Sequence, residues 1–84
     1  MSETTEWIDD TYRRVFEEEL TGLKRRKDHD PSCTISDISG TLHHLYIMDG
    51  NDQGGRGQVQ DITMSATIAA YEHFISEWKK ESVQ

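Results

Sequence analysis

The chain has one cysteine, one proline and no apolar run near the roughly 18 residues needed for a membrane span. Each scarcity excludes something. Because Cys33 stands alone, no disulfide can form within the chain. Met1 is followed by no apolar segment of the signal-peptide kind, so the expected compartment is the cytoplasm and no membrane partner is expected. Basic residues are also scarce, nine against sixteen acidic ones, giving a formal charge of −7. That charge repels phosphate backbones and anionic surfaces at long range, so nucleic acid is not an expected partner. Strand-like alternation is missing, and so are internal repeats and low-complexity tracts.

What remains is an 84-residue chain with helical periodicity. A single domain of this size buries only about 60 to 65% of the surface its unfolded chain exposes. It gains stability from disulfides, a structural metal or association. With the first excluded, association is the natural expectation.

From Trp7 to Leu23 the apolar residues recur at the 3.6-residue period of an amphipathic helix, predicted over about 5–28. Thr4 or Thr5 can cap it, and the basic run Lys24–Lys27 suits the negative end of its dipole. Glu19 falls inside the apolar arc, where a carboxylate either reaches out to water or finds a cationic partner. Asp30-Pro31 reads as N-cap and first residue of a second helix, over about 31–48, with Gly50 as its stop. A start at Ser36 or Asp37 is the alternative. A third helix is predicted over about 61–80, with Asp61 as cap. Nine of the fourteen residues from Ile62 to Ile75 are apolar, which marks a helix buried on most of its circumference.

The expected fold is therefore a single all-α domain over 1–84, three helices with a glycine-rich loop at 49–60, packed as a homodimeric helical bundle. Small residues suggest where copies would meet: Gly40, His43 and Ile47 on the second helix, and Ile62, Ala66, Ala69 and His73 on the third. Protonation of His43 and His73 at such an interface would weaken it near pH 6.

Asp49-Gly50-Asn51-Asp52-Gln53-Gly54 resembles the opening of an EF-hand calcium loop, with oxygen side chains at positions 1, 3 and 5 and glycine at 6. The likeness stops there. Arg56 stands at position 8 and Gln60 at position 12, where a bidentate Glu would close the site. Alternatively Gly54, Gly55 and Gly57 present backbone N–H groups to a phosphate-like anion, with Arg56 as counter-charge. The plain alternative is a connection in which glycine supplies positive φ.

The four histidines have neither His-x-x-x-His nor Glu-x-x-His spacing, so no metal or other cofactor is expected. Cys33 is expected near a helix N-terminus, but the sequence offers no base to pair with it. Without a catalytic constellation, the expected function is a non-enzymatic interaction or regulatory module. Its expected partner is a second copy, forming a dimer, or a larger protein. The alternative is a helix-loop-helix holding a cation or anion at residues 49–57.

Overall fold

A computed structural model describes residues 3–51 and 58–83, with side chains described for 6–50 and 60–81. Three helices follow in order: α1 Glu3–His29, α2 Ile35–Asn51 and α3 Gln58–Val83. No strand occurs among the described residues. The helical periods in the sequence are thus realised as helices.

The link between α1 and α2 is held by local hydrogen bonds that set where α2 begins. α1 continues until the Asp30 N–H donates to the Arg26 carbonyl at 2.9 Å. The Asp30 carboxylate then accepts from the Ser32 N–H at 3.0 Å and from the Ser32 hydroxyl at 2.7 Å, closing a turn around Pro31. These bonds, the hydroxyl's first, hold the Asp30 carboxyl below its ordinary pKa. α2 is capped further on. The Asp37 N–H donates to Thr34 Oγ1 at 3.1 Å, and the Thr34 N–H donates to Asp37 Oδ2 at 3.2 Å. Such a reciprocal pair satisfies two otherwise unpartnered donors at a helix start. Cys33, just before the cap, and Ile38, four residues after it, are both buried in one cluster, so an apolar staple fixes the chain's angle of entry.

The second helix therefore starts at Ile35 rather than Pro31, and Asp30 shapes the preceding turn instead of capping a helix. Gly50 does not stop α2, which runs to Asn51. Asp61 lies inside α3, which begins three residues earlier than its expected cap.

α3 packs against both other helices, whereas the backbones of α1 and α2 do not approach each other. α1 runs parallel to α3: Phe16 meets His73, and Lys27 meets Trp78 and Glu81 further along both helices. α2 runs antiparallel to α3, with Tyr46 bonded to Glu72 while Ser39 and Leu42 share a cleft with Ile75, Ser76 and Lys79. Burial of α3 on several sides thus follows from its central place.

The main core gathers where all three helices overlap. Leu23, Cys33, Ile38, Leu42, Phe74 and Ile75 are buried there, and Ile38 is completely inaccessible. Leu20, Ile68, Tyr71 and Trp78 pack around them. A second buried strip, comprising Val15, Ala66 and Ala70, lies outside that cluster. Ala66 and Ala70 are four residues apart and share an edge of α3 with His73, which stacks on Phe16 at 5.9 Å. Alanine at these positions lets α1 lie close to α3.

The resulting shape is elongated, with extents of 46 × 27 × 21 Å and a radius of gyration of 14.5 Å. A compact domain of this length has a radius near 12 Å. α1 and α3 each span about 40 Å at 1.5 Å per residue, and α2 only about 25 Å, so α2 leaves part of α3 without a second layer.

Candidate functional site

α2 presents the residues named for an association surface. Ile38 and Leu42 face inward, and Ile47, nine residues from Ile38, lies about 180° round the helix from it. Gly40 and His43 are exposed with Ile47, and the position of a Cβ at Gly40 is open space. Tyr46, Ile47 and Met48 are 45%, 46% and 46% exposed, three consecutive large apolar side chains left partly in water.

The corresponding residues of α3 divide. Ala66 is wholly buried inside the chain, so it belongs to the packing of α1 on α3 and not to a free surface. Ile62 and Ala69 are half-buried. His73 is exposed but leans on Phe16 with its ring tilted by 59°, which ties it to α1 and away from the open side of α2. The second apolar face of α3 is thus met by α1 within one chain. It does not by itself require a second copy.

Of the loop residues, Asp52, Gly54, Gly55, Arg56 and Gly57 lie outside the described residues. Asp49 and Asn51 stand in the last turn of α2. The side chain of Asn51 also lies outside the described residues. No group of three His, Cys, Asp or Glu residues able to hold a metal ion occurs among the described residues. Nor is any helix among them long and apolar enough to cross a membrane.

Cys33 is a free, buried thiol that precedes the cap of α2 instead of occupying its first turn. It serves as core. Glu19 is half-buried beside Tyr71. Burial first, and the Glu19 charge second, push the Tyr71 phenol up, with Arg26 acting against them. On the other side of α3, Tyr46 donates its hydroxyl to Glu72, and that bond raises the Tyr46 pKa.

One cluster is not foreshadowed by local spacing. Lys27 Nζ lies 2.8 Å from Glu81 Oε1 and 4.8 Å from the centre of the Trp78 ring. Trp78 in turn stands edge-on to Phe74 at 5.5 Å. Fifty-four residues separate Lys27 from Glu81, so only the tertiary fold brings them together. Their chemistry is that of a clamp: an ammonium is shared between a carboxylate and an aromatic face, closing the far end of the α1–α3 pair. The rest of the basic run, Lys24, Arg25 and Arg26, is exposed.

Comparison with models of protein families, with curated proteins and with solved structures gives no match in any of the three.

Proposed function

We propose that this chain is a small, non-enzymatic association module that works by pairing with a second copy, most simply as a dimer, or by docking on a larger protein. The observation that carries this reading is the uncovered end of α2, where Tyr46, Ile47 and Met48 are each nearly half exposed. Side chains of this kind are enriched where surfaces meet, aromatic residues and methionine above all. The open architecture points the same way. The accessible surface is 5886 Å². A compact protein of 9.7 kDa exposes about 5,100 Å² by the usual scaling with mass. The free, buried thiol of Cys33 is consistent with a reducing compartment, and we place the protein in the cytoplasm.

Light scattering coupled to size exclusion tests the reading, with the wild type beside an Ile47→Asp/Met48→Asp variant. An association module gives a wild-type mass above that of one chain, or retention on its partner. The variant loses this while its helical circular dichroism is unchanged. Full retention of association in the variant would remove α2 from the surface. A wild type that stays at one chain mass and retains no protein would end the reading altogether.

A further inference from the structure

α2 carries the least charge of the three helices. From Ile38 to Met48 it has no Asp, Glu, Lys or Arg, and Asp37 and Asp49 stand toward its two ends. The other two helices present ions to water: Arg14, Glu18 and Arg25 of α1 and Glu72, Glu77 and Lys80 of α3 are all exposed. The centre of the outer side of α2 lies opposite the inaccessible Ile38. Two residues stand there, Ile47 at about 180° and Gly40 at about 200° from Ile38 around the helix. Ile47 is 46% exposed, and nothing lies within 4 Å of where a Cβ on Gly40 would stand. A knob and a hole thus share one line, about 10 Å apart along the axis. Tyr46 and Met48 leave the helix about 100° to either side of Ile47 and border that line.

A knob and a hole on one line complement each other when the line is turned end for end. Two copies of α2 laid antiparallel about a two-fold axis between His43 and His44 bring Ile47 level with the partner's Gly40, and Gly40 level with the partner's Ile47. Both residues lie within about 20° of the contact line, so they meet on it and are not carried to opposite flanks. In a parallel pair Ile47 would meet Ile47 and the space at Gly40 would stay empty. The antiparallel register also keeps the carboxylates apart: Asp37 comes level with the partner's Gly50, and Asp49 with the partner's Ile38. Charge favours a second copy here above any other place on the chain. Two chains that each carry −7 repel one another, and that cost is least where neither helix presents an ion. Glycine in the contact lets the two axes approach toward the lower end of the usual range of roughly 8 to 10 Å.

We propose that a second copy of this chain docks antiparallel across the outer side of α2, each Ile47 filling the space at the partner's Gly40. This rests on the reading of the chain as an association module, uses the same exposed end of α2, and names both the partner and the register. The contact is isologous, so the insertion occurs twice around the two-fold axis. A contact along one helix of about 25 Å covers less than the roughly 800 Å² per partner of a standard interface, so the dimer exchanges with monomer at micromolar or higher concentration.

Sedimentation of the wild type, Gly40→Leu and Ile47→Ala over a wide concentration range tests it. Leucine is a better helix former than glycine and its Cβ enters open space, so Gly40→Leu keeps the fold with an equal or higher thermal midpoint. It nevertheless blocks the hole, and the dissociation constant rises at least about tenfold. Ile47→Ala removes the knob and weakens the dimer by about the same factor. Cross-linking in a Cys33→Ala background reads the register. A mixture of Gly40→Cys and Ile47→Cys chains forms the mixed disulfide dimer faster than either chain forms its own. Self-linking of Ile47→Cys faster than the mixed reaction would make the pair parallel and overturn the proposal, and so would a Gly40→Leu dimer as tight as the wild type's. If Ile47→Asp/Met48→Asp dissolved a dimer that Gly40→Leu left intact, association through α2 would stand and this register would fall. A wild type that is monomeric at its highest soluble concentration would overturn the pairing, and the association reading would then rest on retention of a larger protein alone.

Discussion

The Tyr46 hydroxyl donates to the Glu72 carboxylate, joining the exposed end of α2 to the outer side of α3. Both side chains are exposed, so the bond adds little stability by itself, under about 1 kcal/mol for a pair open to water. Its larger effect is to hold the neutral phenol. Tyr71, half-buried between α1 and α3, is biased the same way by burial and by Glu19.

The alkaline limb of stability follows from these two groups. A folded-state pKa raised above the unfolded value of 10.0 gives a contribution that is complete below pH 10 and disappears as pH rises through the folded value. Unfolding in denaturant should therefore become easier above about pH 10. Tyr71→Phe should flatten this fall more than Tyr46→Phe, because Tyr71 is the more shielded from solvent. Chemical denaturation curves at several alkaline pH values check it. An equal slope in Tyr71→Phe and wild type would remove Tyr71 as a cause.

At the acid end the sign reverses. Asp30 is held below its ordinary pKa by Ser32, so its contribution is present above the unfolded carboxylate value and vanishes as pH falls through the lowered one. Ser32→Ala removes the hydroxyl bond and should lessen the acid sensitivity of folding. The measurement is the thermal midpoint at neutral pH and below the unfolded carboxylate value. A midpoint difference between variant and wild type that does not change with pH would show that the turn is not linked to protonation.

Loss of the cap on α2 should be felt throughout the helix. Thr34→Ala abolishes one of the two reciprocal bonds with Asp37 and should cost about 1 kcal/mol, whereas Thr34→Ser should cost only a fraction of that. Urea unfolding monitored by circular dichroism distinguishes them. Equal stability of the two variants would mean that the cap contributes nothing beyond the turn at Asp30.

The alanines of α3 give a steric test of how α1 is seated. Ala66→Leu or Ala70→Leu inserts volume where no accessible surface remains and should cost about 1 to 3 kcal/mol. Ala69→Leu, at a half-buried position on the same helix, should cost much less. Thermal unfolding of the three variants settles the order, and a larger loss for Ala69→Leu would place the close approach on the wrong edge of α3.

The clamp at Lys27 can be divided by substitution. Lys27→Met keeps the apolar stem but loses both the carboxylate and the aromatic contact, with an expected loss of about 0.5 to 1 kcal/mol. Glu81→Gln should cost less, since the ammonium still has the Trp78 ring. If the two variants were equally destabilised, the ring contact would carry nothing.

Much of the fold was legible in the sequence because periodicity is a local signal. The stripe of α1 and the nearly continuous apolar character of α3 both follow from residues a few positions apart. The start of α2 was not so readable. Asp30 and Thr34 both offer an oxygen to a helix N-terminus, and the choice depends on Ser32 closing a turn while Asp37 answers Thr34. Which helix covers each face of α3 is a tertiary matter. The small-residue edge that suggested a second copy is occupied in part by α1, through Ala66. The open side of α2 was visible from the helical wheel, since Gly40, His43 and Ile47 share the side opposite Ile38. The clamp of Lys27, Trp78 and Glu81 was beyond sequence reading, because its parts lie far apart along the chain.

Since α1 and α2 meet α3 but not each other along their backbones, the third of these helices in chain order is the one on which both others depend. During synthesis from the N-terminus, α1 and α2 emerge with their apolar stripes facing water and no stable place to dock. Lys27 must wait for a partner 54 residues downstream. Folding of these three helices therefore waits until α3 leaves the ribosome, when α1 and α2 close on it. A ribosome-stalled chain lacking α3 should remain sensitive to protease along its whole length, and one with α3 fully exposed should not.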